Sequence, residues 1–156
     1  MYTITKDFGP LCISHQLLGL AEGHKCGRVH GHNVTVRVVL ASPDLDEHGF
    51  VVDYGDLALL KDWLWASFDH QHLNDHVTFQ PSAENMARFI YEEAVRIWGW
   101  PVASVGWSET PATWALYTSA DGIGKIEETL EAKVERLTGI GVDPEVARSF
   151  AEQTRR

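Results

Sequence analysis

The chain has 156 residues, 44% hydrophobic and 22% charged, which suits one globular domain with a buried core. Its formal charge of −9 argues against non-specific binding to nucleic acid or to an anionic membrane. No apolar run reaches a bilayer-spanning length and no charged-then-apolar leader opens the chain, so two cysteines, Cys12 and Cys26, are expected reduced in a cytoplasmic setting.

Residues 2 to about 14 read as a strand, apolar at Tyr2, Ile4, Phe8, Leu11 and Ile13, with Gly9-Pro10 predicting a kink or bulge. His15 closes this segment. Cys12 faces away from His15 on an extended chain and is read as a buried packing residue. The connector from Leu18 to Val29 is long for a hairpin. It runs into residues 24 to 33, where a thiol, three imidazoles and two cations fall close together.

On an extended chain His30 and His32 point the same way, with Gly31 adding no bulk between them. That places two nitrogen donors where a tetrahedral Zn2+ wants them. With 8 histidines in the chain, chance supplies about 0.4 such pairs, so the pair alone is weak. A third ligand has to come from elsewhere, and His15 is best placed, at the end of the neighbouring strand. Cys26 precedes His30 by four residues, in a loop that Gly27 can bend back towards the same place. Two roles stay open for it: a reactive thiol beside an open three-histidine site, or a fourth ligand closing a structural zinc module.

Residues 33 to 40 alternate as a strand, so the first two strands form an antiparallel pair with the histidines at one end. Phe50-Val51-Val52 reads as a short strand, and Asp53 as the cap of a helix that runs to Phe68 with Leu57, Leu60 and Leu64 on its apolar stripe. Residues 69 to 76 read as a polar loop. A second helix opens at Pro81-Ser82, buries Met86, Phe89, Ile90 and Ile97, and stops at Gly99. Strands over 102–109 and 112–118 form a hairpin. The class is α+β, a four-stranded antiparallel sheet with two helices on one face. After residue 118 the pattern turns helical. Gly122 and Gly124 precede a helix over 126–137 that Gly139 and Gly141 end. Asp143-Pro144-Glu145 starts another, with Val146, Ala147 and Phe150 apolar and Arg155-Arg156 at a frayed end. Residues 1–118 are therefore read as the main domain and 119–156 as a helical C-terminal extension. His24, His48, His72 and His76 read as surface residues.

Five motifs in register resemble one known family: Ser14-His15-Gln16-Leu17, Cys26-x-x-x-His30-Gly31-His32-Asn33, Phe68-Asp69-His70-x-x-Leu73-Asn74, Pro81-Ser82-Ala83-Glu84-Asn85 and Ser108-Glu109-Thr110. Their order is similar to that of the 6-pyruvoyl-tetrahydropterin synthase superfamily. The three-residue gap after Cys26 is similar to its 6-carboxy-5,6,7,8-tetrahydropterin synthase branch. Gln16 departs from the pattern, standing where an Arg is common, and the tail from Ser119 lies outside it.

The resemblance implies a tunnelling fold assembled as a homo-oligomeric ring, with a hexamer favoured, and Zn2+ held by His15, His30 and His32. It implies a lyase acting on 7,8-dihydroneopterin triphosphate to give 6-carboxytetrahydropterin, acetaldehyde and triphosphate, on the way to 7-deazapurines such as queuosine. Cys26 then takes the part of general base, and Asp69 with His70 moves protons on the opposite face. Glu109 binds the pterin's amino group and ring N–H, a planar match for a carboxylate. Lys25 and Arg28 stand either as solvated loop cations or as partners of the triphosphate. Pyruvoyl synthesis on the same substrate is the nearest alternative, and the cysteine spacing speaks against it.

Overall fold

The structure is a computed structural model that describes residues 1–120, 122, 130–139 and 142–153. Strands β1 (Tyr2–His15) and β2 (His30–Ser42) pair antiparallel along most of their length, with a shift between Phe8 and Leu11 where Gly9-Pro10 interrupts the ladder. Alternation decides the faces. Leu11 and Ile13 of β1, and Val34, Val36, Val38 and Leu40 of β2, are buried on one side, while Thr35, Arg37 and Val39 lie on the other. Helices α1 (Ala58–Phe68) and α2 (Ala83–Trp98) cover the buried side. Strands β4 (Val102–Thr110) and β5 (Thr113–Tyr117) complete the expected hairpin beside β2.

The sheet has five strands, not four, and with β3 (Gln71–His72) their order is β3-β1-β2-β4-β5. The added strand pairs parallel with Ile13 and Ser14 inside the stretch expected to be a polar loop. Two residues leave no period in a sequence. Asp69 and His70 bring them to the β1 edge: the Asp69 carboxylate accepts the Cys12 N–H at 2.9 Å and the His70 N–H reaches the Cys12 carbonyl at 2.6 Å.

The strand expected at 50–52 does not form. The Asp46 carboxylate accepts the N–H groups of His48 and Phe50, curling this segment into a turn, while Val51 and Val52 still rest on the core. Asp53 caps no helix either; its side chain closes a turn on the Gly55 N–H at 2.7 Å, and α1 begins only at Ala58. Cys12 is half-exposed rather than buried, its thiol directed at Asn33 Oδ1 at 3.4 Å. Both thiols are free.

Helix α2 follows its signals closely. The Ser82 hydroxyl accepts the Asn85 N–H, and Gly99 ends the helix in the left-handed conformation at φ 64°. Its buried stripe is wider than expected, taking in Ala87, Tyr91, Ala94 and Trp98, while Phe89 is only half-buried.

Helix α3 (Leu130–Gly139) extends to Gly139, and α4 (Pro144–Gln153) starts on Asp143, whose carboxylate accepts the N–H groups of Glu145 and Val146. Leu137 and Ala147 join the same hydrophobic cluster as α2. Gly124, Gly141, the first turn expected from Ile126, the Phe150 side chain and Arg155-Arg156 lie outside the described residues. No described helix is long and apolar enough to cross a membrane.

Candidate metal centre

The β1–β2 register sets His15 directly opposite His30, and His32 opposite Ile13. Directly paired residues share a face of the sheet, so all three imidazoles gather at one end of the buried side. Their ring centroids lie 4.5 to 5.2 Å apart. A Cβ at Gly31 would crowd the neighbouring strand, 3.0 Å from the Ile13 carbonyl oxygen on β1. The glycine between the two histidines thus answers to that strand.

Hydrogen bonds assign the tautomers. His15 Nδ1 lies 2.8 Å from the Pro81 carbonyl and His30 Nδ1 lies 2.8 Å from the Arg28 carbonyl. A carbonyl can only accept, so each Nδ1 carries its proton and each neutral ring turns a lone pair outward from Nε2. These two Nε2 atoms face one another at 3.1 Å. Two nitrogens bound tetrahedrally to zinc at about 2.05 Å would lie about 3.3 Å apart. The third, His32 Nε2, is buried with no hydrogen-bond partner. Three converging lone pairs, two of them oriented by backbone carbonyls, fit a divalent cation. Burial pushes the His32 pKa down, aided by charge on His15 and His30 and opposed by Glu109, which favours the neutral, ligating form.

Glu109 adds a carboxylate, Oε1 at 3.8 Å from His15 Nε2 and Oε2 at 3.7 Å from His32 Nε2. The half-buried end of β4 therefore turns this group towards the imidazoles. Among the described residues the donor group comprises His15, His30 and His32 and does not include Cys26.

Cys26 sits half-buried in a short 3-10 helix, Lys25–Gly27, capped by His24, whose Nδ1 accepts the Cys26 N–H at 3.2 Å. His24 therefore has a structural task that its polar surroundings did not reveal. Lys25 and Arg28 flank the thiol and are exposed, with no carboxylate paired to either among the described residues. Asp69 and His70 form their expected pair, Oδ2 to Nδ1 at 2.8 Å. That fixes the His70 proton on Nδ1 and leaves Nε2 for chemistry. His70 occupies the left-handed region at φ 57° while its N–H bonds the Cys12 carbonyl, and its ring is 76% exposed. Among the described residues no hydrogen bond, ion pair or ring contact joins His70 or Cys26 to the three histidines.

The Cys12 N–H and His70 hold the Asp69 carboxyl below its ordinary pKa. A depressed folded pKa contributes stability that is fully present above the unfolded value of 3.8 and is lost as pH falls through the folded one. Asp69→Asn is accordingly expected to lower stability at pH 7 and pH 5, with the gap to the native chain closing as pH falls below 3.8 and through the lowered folded value. Denaturant titrations of both chains across that range check this; a gap that persists unchanged in acid contradicts it.

Fold and site define an α+β protein with an open group of three histidines, able to hold a metal ion, at one end of its sheet. The sequence matches the 6-pyruvoyl tetrahydropterin synthase family over residues 3–120, and the chain belongs to that family. It is 38% identical over 74 residues to the 6-carboxy-5,6,7,8-tetrahydropterin synthase of Bacillus subtilis, covering 43% of this chain and 49% of that one. It thus spans about half the length of that relative. The protein of the same name from Synechocystis is 37% identical over 97 residues, covering 58% of this chain and 73% of that one. Among solved structures, the Caenorhabditis elegans 6-pyruvoyl tetrahydropterin synthase superposes with a TM-score of 0.65 at 24% identity, covering 77% of this chain and 98% of that one, a likeness of fold.

Proposed function

We propose that this protein is a zinc-dependent carbon–carbon lyase. With one molecule of water it converts 7,8-dihydroneopterin triphosphate to 6-carboxy-5,6,7,8-tetrahydropterin, acetaldehyde and triphosphate, a step towards 7-deazapurines such as queuosine in the cytoplasm. The observation that carries the proposal is the open donor set, three imidazole lone pairs with Cys26 outside them. A closed structural module would need the thiol as its fourth ligand. A bound Zn2+ supplies Lewis acidity towards the oxygens of the substrate's side chain, which eases removal of a proton from the adjoining carbon. Cys26 takes that proton as general base, and His70, with its tautomer set by Asp69, exchanges protons through Nε2. Glu109 accepts hydrogen bonds from the pterin ring, and the exposed Lys25 and Arg28 attract the triphosphate. Incubating the zinc-loaded protein with the substrate and trapping acetaldehyde tests this, because pyruvoyl synthesis releases none.

We further propose a homo-oligomer larger than a dimer. The His70 ring is 76% exposed and, among the described residues, makes no contact with the histidine cluster of its own chain, as expected of a group that acts in a neighbour's site. A fully active monomer of 17.5 kDa in light scattering would refute the shared site. Residues 1–118 are the synthase domain in this account and 119–156 an appendage. Deleting the appendage is expected to leave zinc binding and catalysis largely intact. It should lower stability by at least about 2 kcal/mol in denaturant titration, since Leu137 leaves the core. A deleted protein that assembles normally and has no activity would contradict this.

A further inference from the structure

The β1 edge that faces β3 remains paired well beyond the two backbone rungs of that strand. Cys12 is held there by Asp69 and His70, and Ile13 and Ser14 by β3. Past His15 the partners become side-chain amides. Asn74 accepts the Gln16 N–H at 2.9 Å and donates to the Gln16 carbonyl at 2.8 Å. Gln80 does the same for Leu18, at 3.0 and 2.6 Å. Each amide supplies one donor and one acceptor, as a backbone rung does. Both are themselves anchored: Asn74 lies in a 3-10 helix beside fully buried Leu73, and the Gln80 carbonyl receives the Ser82 N–H and the Asn85 side chain.

Holding alternate residues on one edge aims the residue between them at the other. Leu17 accordingly donates its N–H to the carbonyl of Cys26 at 2.9 Å, and the Gln16 side chain donates to the Gly27 carbonyl at 2.7 Å. We propose that Asn74 and Gln80 are positioning residues for Cys26. Their two side-chain rungs hold the backbone of Gln16 and Leu18 on one side, and the Leu17 N–H on the other side sets where the thiol's peptide lies. Neither residue touches the thiol. Their importance for turnover rests on the lyase reading above, whereas their effect on the thiol does not.

The test compares zinc-loaded full-length protein with Gln80→Ala and Asn74→Ala by timed iodoacetamide labelling. Lys25 separates the two thiols onto different tryptic peptides, so Cys12 serves as an internal reference. Loss of a two-bond clamp is expected to raise the Cys26 rate about tenfold relative to Cys12, with zinc content unchanged. In the turnover assay kcat should fall with little change in KM. A Cys26 to Cys12 ratio that stays at the native value in Gln80→Ala, or rates that rise together for both thiols, would overturn the proposal. If Asn74→Ala does not fold, Gln80→Ala decides alone. A shifted ratio in a protein whose native form shows no turnover of the pterin triphosphate upholds the positioning and removes the lyase assignment.

Discussion

Replacing His15 with alanine is expected to leave a folded protein that holds little metal and turns over no substrate. His15 is almost wholly buried, its Nδ1 is tied to Pro81, and its Nε2 supplies one of three lone pairs, so no neighbour can stand in for it. Loss of a mere outer partner typically weakens metal binding 10- to 100-fold, and loss of one ligand of three should exceed that. His30→Ala and His32→Ala should behave alike. Metal content after dialysis against a weak chelator checks the assignment; full zinc occupancy in His15→Ala would sink it. Acid competes for the same lone pairs, so zinc uptake should decline as pH falls through the imidazole range.

The second large effect concerns the proton-transfer groups. Cys26→Ala and His70→Ala should both keep the fold and the zinc yet lose about 10² to 10⁴ in rate, the usual contribution of a general acid or base. Cys26 lies outside the donor group and the His70 ring is solvent-facing, so neither truncation opens a cavity in the core. If Cys26→Ala released zinc while keeping near-normal turnover, the thiol would be a structural ligand after all. If shared sites form between chains, mixing inactive Cys26→Ala with inactive His70→Ala protomers should restore part of the activity wherever a neighbour supplies the missing group.

Much of this was legible from local patterns. The alternation of Val34, Val36, Val38 and Leu40 announced β2, the His-Gly-His spacing announced two imidazoles on one face, and Ser82 and Gly99 marked both ends of α2. These signals are legible because backbone geometry imposes them within a few residues. What escaped depends on contacts between distant parts of the chain. β3 has two residues and exists because Asp69 and His70 are drawn to Cys12, 57 and 58 positions earlier. The clamps of Asn74 and Gln80 span 58 and 62 positions and follow no period. Asn74 stood inside a motif without a task, and Gln80 directly before the residue whose carbonyl orients His15. The turn of residues 46–50 hid behind an apolar triplet, because one carboxylate, Asp46, outweighed the strand preference of Phe50, Val51 and Val52. The site itself divided along the same line. The shared face of His30 and His32 could be read from strand parity and the place of His15 from its position at the end of the neighbouring strand, whereas the direction of Glu109 towards His15 and His32 needed the β2–β4 register.

The most direct measurement is mass analysis of the pterin formed when the zinc-loaded protein meets 7,8-dihydroneopterin triphosphate. The lyase assignment predicts 6-carboxytetrahydropterin with equimolar acetaldehyde and triphosphate, all three absent from His15→Ala and from zinc-stripped protein. A 6-pyruvoyl product without acetaldehyde, or no consumption of substrate by a zinc-replete oligomer, would contradict it.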